Sequence, residues 1–264
     1  MKKFFFLSFI SGNLSFYSID NFKKLEKSIN GKLNFCFIPW KNNSQQKINH
    51  LKKIYKPIFV KKIRQPKFES ITKKIKFPDH AGNPIGTLYM WESIRQSFKQ
   101  IFNYYKHRKI KPDYVIRYRS DILPRGNLSL FKKRLHKNEI LVPDRFHWNG
   151  INDQIFVIKY KDIKLFFDID KFIRKFIENN RFFSSEYIFQ QFLKSKKIQI
   201  RYSDFDYQIL RHRGFQKLSK NINSDMKIFD KINVKLNKLS YKFRNFKKYY
   251  IHKKYLNKNQ HKYI

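Results

Sequence analysis

The sequence contains one cysteine and no long apolar run. With Cys36 alone, neither an intrachain disulfide nor a cysteine-based zinc site can form, and its apolar neighbours predict an inert buried thiol. No apolar run approaches the roughly 20 residues that span a bilayer. Met1-Lys2-Lys3 and the apolar stretch after it resemble a short signal peptide, but Ser8 interrupts the stretch and no small-residue cleavage site follows. We therefore interpret Phe4–Ile10 as a first β-strand.

Acidic residues are also scarce. The 264 residues include 59 lysines and arginines but only 19 acidic residues, which gives a formal net charge of +40. This charge predicts attraction to anionic surfaces. Lys, Asn, Ile, Phe and Tyr are all abundant, which is typical of genome-wide compositional drift, so the charge by itself does not identify nucleic acid as the partner. Twelve of the acidic residues lie between Asp113 and Asp206, where we look for chemistry.

The order of apolar patterns predicts an α/β fold. Strand Phe4–Ile10, a helix after Ser15 and strand Leu33–Ile38 form a βαβ unit, which implies a parallel sheet. Ser11 and Gly12 follow the first strand and are placed to face a ligand. The patterns further along predict a short helix at 48–55, a long helix capped by Thr87, strands at 140–143, 155–158, 198–202 and 207–210, and helices at 162–178 and 185–194 with Ser184 or Ser185 as cap.

The strand that begins at Tyr114 ends in charged side chains. Because side chains alternate along a strand, Arg117, Arg119 and Asp121 share one face. Two guanidinium groups and a carboxylate that can hold a divalent cation suit a diphosphate. The alternative interpretation is a strand end that frays into a solvated turn.

The C-terminal residues differ from the rest in composition. From Arg211 onwards the chain has 16 basic and two acidic residues, and its aromatic and aliphatic residues recur at roughly helical spacing. Such a basic amphipathic segment can lie on an anionic membrane. It can equally be a terminal helix that packs on its own domain.

An ordered set of sequence pieces over about residues 1–213 resembles the bacterial WavE lipopolysaccharide-synthesis family of glycosyltransferase-like proteins. The pieces are the opening strand, the strand ending in Pro39-Trp40, Tyr-Met-Trp-Glu-Ser-Ile from Tyr89, Asp-Tyr-Val-Ile-Arg-Tyr-Arg-Ser-Asp from Asp113, Asn152-Asp153-Gln154, Phe183-Ser184-Ser185-Glu186-Tyr187, and Asp206-Tyr207-Gln208-Ile209-Leu210-Arg211.

The resemblance implies a GT-A-like single domain over residues 1–213, with a mostly parallel central sheet flanked by helices. The composition of the remaining residues predicts a basic helical extension over 214–264. It implies transfer of a sugar from a nucleotide-sugar donor to a lipopolysaccharide or other surface-polysaccharide acceptor. The expected location is cytoplasmic, in peripheral contact with the anionic inner face of the cell membrane, and no nucleic-acid partner is expected.

The resemblance also places site residues. GT-A enzymes carry an Asp-x-Asp motif that holds metal and donor diphosphate, and the matching place here reads Arg119-Ser120-Asp121. Asp121 is therefore the candidate ligand for Mn²⁺ or Mg²⁺, and the alternative is direct neutralisation of the diphosphate by Arg117 and Arg119. Ser11 and Gly12 are expected to contribute to the donor site.

Asp153 is the candidate catalytic base for an acceptor hydroxyl, and its alternative role is a turn cap. Glu186 is a second catalytic candidate, although its place at a helix start also suits the helix dipole. His147, Trp148 and Asn152 are expected to bind the acceptor.

Two other classes of function remain open at this stage. The charge and the interleaved aromatic residues suit a nucleic-acid-binding protein, but no recognised nucleic-acid motif is present. The acidic motif retains only one of its two aspartates, which suits a catalytically inactive glycosyltransferase-like scaffold.

Overall fold

A computed structural model describes residues 4–12, 25–27, 29, 31–76, 78, 84–119, 122–125, 134–144, 147, 150–179 and 181–209. All of these belong to one structural unit that ends at Ile209. The predicted extension over residues 214–264 lies outside the described residues, as do Ser120, Asp121 and Trp148.

Seven strands of the described chain form a central sheet in the order β3-β2-β1-β4-β7-β6-β8. Strand β7 is antiparallel to both of its neighbours, and the other pairs are parallel. The α/β class with a mostly parallel sheet is confirmed. The strands are β1 (Phe4–Gly12), β2 (Gly31–Pro39), β3 (Phe59–Val60), β4 (Tyr114–Tyr118), β5 (Ile122–Arg125), β6 (Glu139–Pro143), β7 (Ile155–Lys159), β8 (Gln199–Ser203) and β9 (Asp206–Ile209).

Strands β5 and β9 form a separate antiparallel pair. The sequence analysis assigned no strand to β5. In the structure Pro124 pairs with Tyr207 in a two-stranded sheet, where a missing donor is tolerated.

The helices flank the sheet, and two of their predicted boundaries were wrong. The long helix starts at Pro84, since proline needs no amide partner in a first turn, so Thr87 lies inside the helix and is not its cap. The predicted helix over 162–178 is two elements that meet at Phe167-Asp168. The helices are α1 (Gln45–Tyr55), α2 (Glu69–Thr72), α3 (Pro84–Tyr105), a 3₁₀ helix (Tyr160–Phe166), α4 (Ile169–Glu178) and α5 (Ser185–Ser195).

Helix α3 forms the centre of the larger hydrophobic core. Its Phe98 is fully buried, with its ring centroid 5.3 Å from that of Phe9 on β1 and 5.1 Å from that of Phe166 on the 3₁₀ helix. The Phe156 ring on β7 is 6.3 Å away. One side chain on α3 therefore contacts two strands and a second helix, and α3 packs the helical layer against the sheet.

Replacing Phe98 with alanine is expected to destabilise the protein by about 3–5 kcal/mol, because it leaves a cavity between three buried rings. Chemical denaturation measures the loss. Asn103→Ala, at an exposed position of the same helix, is the control and is expected to change stability by less than about 0.5 kcal/mol. Equal effects of the two substitutions would show that α3 does not have this central role.

Candidate active site

One edge of the sheet collects most of the predicted site residues. Parallel strands β1, β4 and β6 all end at this edge, where Ser11-Gly12, Arg119 and Asp144 are found. Strand β7 starts there because it runs the other way, so Asn152-Asp153-Gln154 also lie at this edge. Side chains outside the carboxyl ends of parallel strands are placed to meet a ligand. We call this the carboxyl edge.

Arg117 is a buried cation in the sheet. It pairs in register with Phe9 on one side and Phe156 on the other, and only 5% of it is exposed. Its Nη1 donates to the Tyr118 carbonyl at 3.2 Å, and its guanidinium lies 5.8 Å from the centre of the Phe9 ring. Arg119 is less buried, and its amide donates to the Gln154 carbonyl at 3.3 Å. The end of β4 is thereby joined to the loop before β7.

Asp153 is buried beside both arginines, with 3% of its surface exposed. The Ser185 hydroxyl donates to its Oδ2. Burial raises the pKa of the Asp153 carboxyl above its usual value, and the Ser185 hydrogen bond and the charges of Arg119 and Arg117 act in the opposite direction. The structure therefore places Asp153, Arg117 and Arg119 in one electrostatic cluster, which we call the Asp153 cluster.

The start of α5 supports the Asp153 cluster through its backbone. Ser184 is the helix cap, with its Oγ accepting from the Tyr187 amide at 3.2 Å, and this leaves the Ser185 hydroxyl to meet Asp153. The Glu186 carbonyl accepts from the Ile151 amide at 3.0 Å. A Cβ on Gly150 would lie 2.1 Å from that carbonyl oxygen, so only glycine permits this close approach. Glu186 thus contributes its main chain to the docking of the loop.

A buried hydrogen-bond network fixes the same loop from the other face of the sheet. Asn152 Nδ2 donates to the Tyr207 hydroxyl at 2.7 Å, and that hydroxyl donates to Gln154 Oε1 at 2.8 Å. The backbone amide of Gln154 donates to Asn152 Oδ1 at 2.9 Å. Tyr207 belongs to β9, which pairs with β5. Strand β5 begins at Ile122, the residue after Asp121 in the sequence. Asn152, predicted to bind an acceptor, is fully buried in this network.

His147 is held by two partners. Its Nδ1 accepts from the Asn152 amide at 3.2 Å, so a neutral ring carries its proton on Nε2, which lies 3.1 Å from Asp144 Oδ1. Its ring is edge-on to Tyr202, with 5.2 Å between the centroids, and Tyr202 is 50% exposed. His147 and Tyr202 therefore form an aromatic surface at the β6–β8 end of the carboxyl edge.

The remaining predicted donor residues differ in what surrounds them. Ser11 donates its hydroxyl to Ser93 Oγ on α3 at 3.2 Å, and Gly12 is the last residue of β1. Among the described residues, no three His, Cys, Asp or Glu side chains are grouped to hold a metal ion. The predicted metal ligand, Asp121, lies outside the described residues.

The sequence analysis did not identify three contributors to this site: Ser185, Gln154 and Tyr207. The consecutive serines at the start of α5 were a usable signal, since one helix needs one cap and the second hydroxyl is left for another partner. Tyr207 had no such signal, because its partners lie more than 50 residues away along the chain.

No protein-family model and no curated protein matches the sequence, so the expected membership of the WavE family is not confirmed. The solved structures that resemble it include GlyE of Streptococcus pneumoniae TIGR4, a glycosyltransferase, at 13% identity and a TM-score of 0.44 over 76% of this chain and 45% of GlyE. An active-site variant of LgtC matches at 11% identity and a TM-score of 0.45 over 85% and 80% of the two chains. The mannosyltransferase Ktr4p of S. cerevisiae matches at 11% identity and a TM-score of 0.41 over 76% and 70%. The chain thus spans less than half of GlyE, and likeness at this level does not extend to activity or substrate.

Substituting asparagine for Asp153 tests the charge balance of the cluster. Because burial raises the pKa of this carboxyl, the folded state holds the proton more tightly than the unfolded state does. The free energy of unfolding of the wild type, relative to Asp153→Asn, should therefore fall as the pH rises from about 4 through the raised pKa. Urea unfolding of both proteins over this range measures the difference. If the wild type instead gains stability relative to Asp153→Asn as the pH rises, then the Ser185 hydrogen bond and the arginine charges lower the pKa of Asp153 more than burial raises it.

Substituting phenylalanine for Tyr207 removes one hydroxyl from the buried network. Asn152 Nδ2 and Gln154 Oε1 would each lose a partner, which is expected to cost about 1–3 kcal/mol of stability. Tyr202→Phe, at a half-exposed position, is the matched control and should be nearly neutral. Thermal and urea unfolding check both, and a neutral Tyr207→Phe would show that the network does not stabilise the loop.

Proposed function

We propose that this protein is a nucleotide-sugar-dependent glycosyltransferase that acts on a lipopolysaccharide or other surface-polysaccharide acceptor. The observation that carries the proposal is the Asp153 cluster, because it brings a buried carboxyl and two arginines together at the carboxyl edge of a mostly parallel sheet. The proposed surface-polysaccharide acceptor rests on the resemblance of the sequence pieces to the WavE family, which no family match confirms.

The proposed donor site uses the arginines for the leaving nucleoside diphosphate. Negative charge grows on the diphosphate as the bond to the sugar breaks, and fixed guanidinium groups stabilise that charge without reorganising. Arg119 is the arginine with the greater exposure and is assigned to direct contact with the phosphate oxygens. Arg117 is buried and is assigned to the positive field behind it. Asp121, two residues beyond Arg119, would hold Mn²⁺ or Mg²⁺ against the diphosphate.

Asp153 is assigned to the donor side in this proposal. A general base has to come within hydrogen-bonding distance of the acceptor hydroxyl. Asp153 is buried and already receives the Ser185 hydroxyl, so it is better placed to hold Arg117 and Arg119 in position. The acceptor is assigned to the side of the edge that carries His147 and Tyr202, with Trp148 next to His147 in the chain.

Nucleoside diphosphate binding tests the donor site. In a thermal-shift screen with and without Mn²⁺, uridine or guanosine diphosphate should raise the unfolding temperature of the protein, because a ligand that binds the folded state stabilises it. Arg119→Ala should weaken binding by about 1.5–3 kcal/mol, the value of a charge-assisted hydrogen bond. Arg181→Ala is the charge-matched control at an exposed position before α5.

Equal binding by Arg119→Ala, Arg181→Ala and the wild type would contradict this donor site. Release of nucleoside diphosphate from a nucleotide sugar, measured on the same proteins, separates an active transferase from an inactive scaffold. Binding to nucleic acid without any response to nucleoside diphosphates would favour the nucleic-acid-binding alternative.

A further inference from the structure

The edge of the sheet where the parallel strands begin exposes both apolar and basic side chains. The loop over residues 106–111, Lys-His-Arg-Lys-Ile-Lys, joins α3 to β4, and all six of its residues are exposed. Ile110 is 76% exposed, and Ile58, just before β3, is 38% exposed. They are two of the three large hydrophobic residues that are exposed in the described part of the chain. We call residues 106–111 together with Ile58 the amino-edge surface.

The two isoleucines belong to one continuous patch. With Phe5, Tyr104 and Tyr105 they line a shallow, open concavity of about 400 Å³. The Arg108 guanidinium lies 4.0 Å from the centre of the Tyr104 ring, and that ring stacks on Phe59 with 4.3 Å between the centroids. Arg108 Nε also donates to the Tyr104 carbonyl at 3.1 Å. The loop is therefore anchored beside the concavity, and Ile110 is presented from its rim.

The acidic residues that flank β4, β6 and β7 at this edge are engaged by backbone amides. Asp113 Oδ2 accepts from the Phe5 amide at 2.9 Å, and Glu139 Oε2 accepts from the His136 amide at 2.6 Å. Asp162 Oδ2 accepts from the Asn138 amide at 3.2 Å, and this residue is buried. The basic residues of the same edge, in contrast, include the exposed Lys56, Lys106, Arg108, Lys109, Lys111, Lys137 and Lys161.

The exposed basic residues outnumber these three carboxylates, so the edge carries net positive charge towards solvent. On the β2 side, the exposed Glu26 is accompanied by the exposed Lys27 and Lys32. Desolvation, together with the neighbouring charges of Lys161 and Arg134, lowers the pKa of Lys159, and the charges of Asp162 and Glu139 act in the opposite direction. Positive charges at this edge are thus close enough to affect one another.

We propose that the amino-edge surface docks on an anionic lipid bilayer, with Ile110 and Ile58 entering the headgroup–acyl boundary and the surrounding lysines and Arg108 facing the lipid phosphates. Basic residues near an anionic leaflet are attracted to it, and aliphatic side chains gain free energy when they leave water. An aliphatic side chain gains no comparable free energy against a nucleic-acid backbone, so the exposed isoleucines favour the bilayer. No helix of the described chain is long and apolar enough to cross a membrane, and the contact proposed here is a surface contact.

The proposal does not depend on the proposed sugar transfer. The amino-edge surface lies at the opposite ends of the strands from the Asp153 cluster, so a docked protein keeps its carboxyl edge open to donor and acceptor. It also differs from the contact expected of residues 214–264, because it assigns lipid binding to the α/β unit.

Co-sedimentation of the full chain with phosphatidylcholine vesicles, with and without phosphatidylglycerol, tests the proposal. The wild type should bind only the vesicles that contain phosphatidylglycerol. Ile110→Ser should weaken this binding roughly ten-fold through lost apolar burial. The pair Lys109→Glu and Lys111→Glu should weaken it at least about twenty-fold, since each lysine near the surface contributes about five-fold. Ile110 is mostly exposed, so the unfolding temperature should not change and serves as the check on folding.

The pair Lys171→Glu and Lys175→Glu, at exposed positions of α4, is the control with an identical change in charge. If this control reduces vesicle binding as much as the loop pair does, diffuse charge is responsible and the proposal is overturned. Wild-type binding by Ile110→Ser also overturns it. If Ile110→Ser binds single-stranded DNA as the wild type does and loses vesicle binding, the bilayer is the partner. If Ile110→Ser loses binding to single-stranded DNA and to vesicles to the same extent, the assignment to lipid is overturned. Nucleoside diphosphate binding, measured alongside, should be unchanged in every variant.

Discussion

The burial of one carboxylate, that of Asp153, is the constraint on which the carboxyl edge depends. A buried charge is tolerated only where hydrogen bonds and opposite charges compensate for the loss of water. Here the compensation comes from different elements: the Ser185 hydroxyl at the start of α5, and Arg117 and Arg119 at the end of β4. This compensation is partial, since burial still raises the pKa of Asp153, and displacing either element would reduce it further.

The reversed direction of β7 makes this arrangement possible. Asp153 lies two residues before β7, so it lies at whichever edge β7 starts from. In a fully parallel sheet that edge would be the amino edge, far from the arginines that follow β4. Because β7 is antiparallel to β4, with Tyr118 opposite Ile155, the loop before β7 meets the end of β4. One strand direction thus decides whether two separate stretches of sequence form one site.

The two edges of the sheet carry positive charge in different forms. At the carboxyl edge Arg117 is buried and its orientation is fixed by neighbours, as a site for a defined anion requires. At the amino edge the basic residues are exposed to solvent, and Asp113, Glu139 and Asp162 accept hydrogen bonds from backbone amides. Fixed charge suits recognition of one diphosphate, whereas exposed charge suits an extended anionic surface. The net charge of +40 therefore covers two physically distinct distributions.

Local features of the sequence determined the elements and part of the site. Apolar patterns predicted β1, β2, β4 and the long helix α3, because the apolar pattern is a property of each segment by itself. The charged end of β4 identified Arg117 and Arg119 by the same local logic. Tertiary structure alone decided the direction of β7, the pairing of β5 with β9, the choice of Ser184 over Ser185 as cap, and the approach of Asp153 to the two arginines. Each of these depends on contacts between segments far apart in the chain, and local periodicity carries no information about which distant segments will meet.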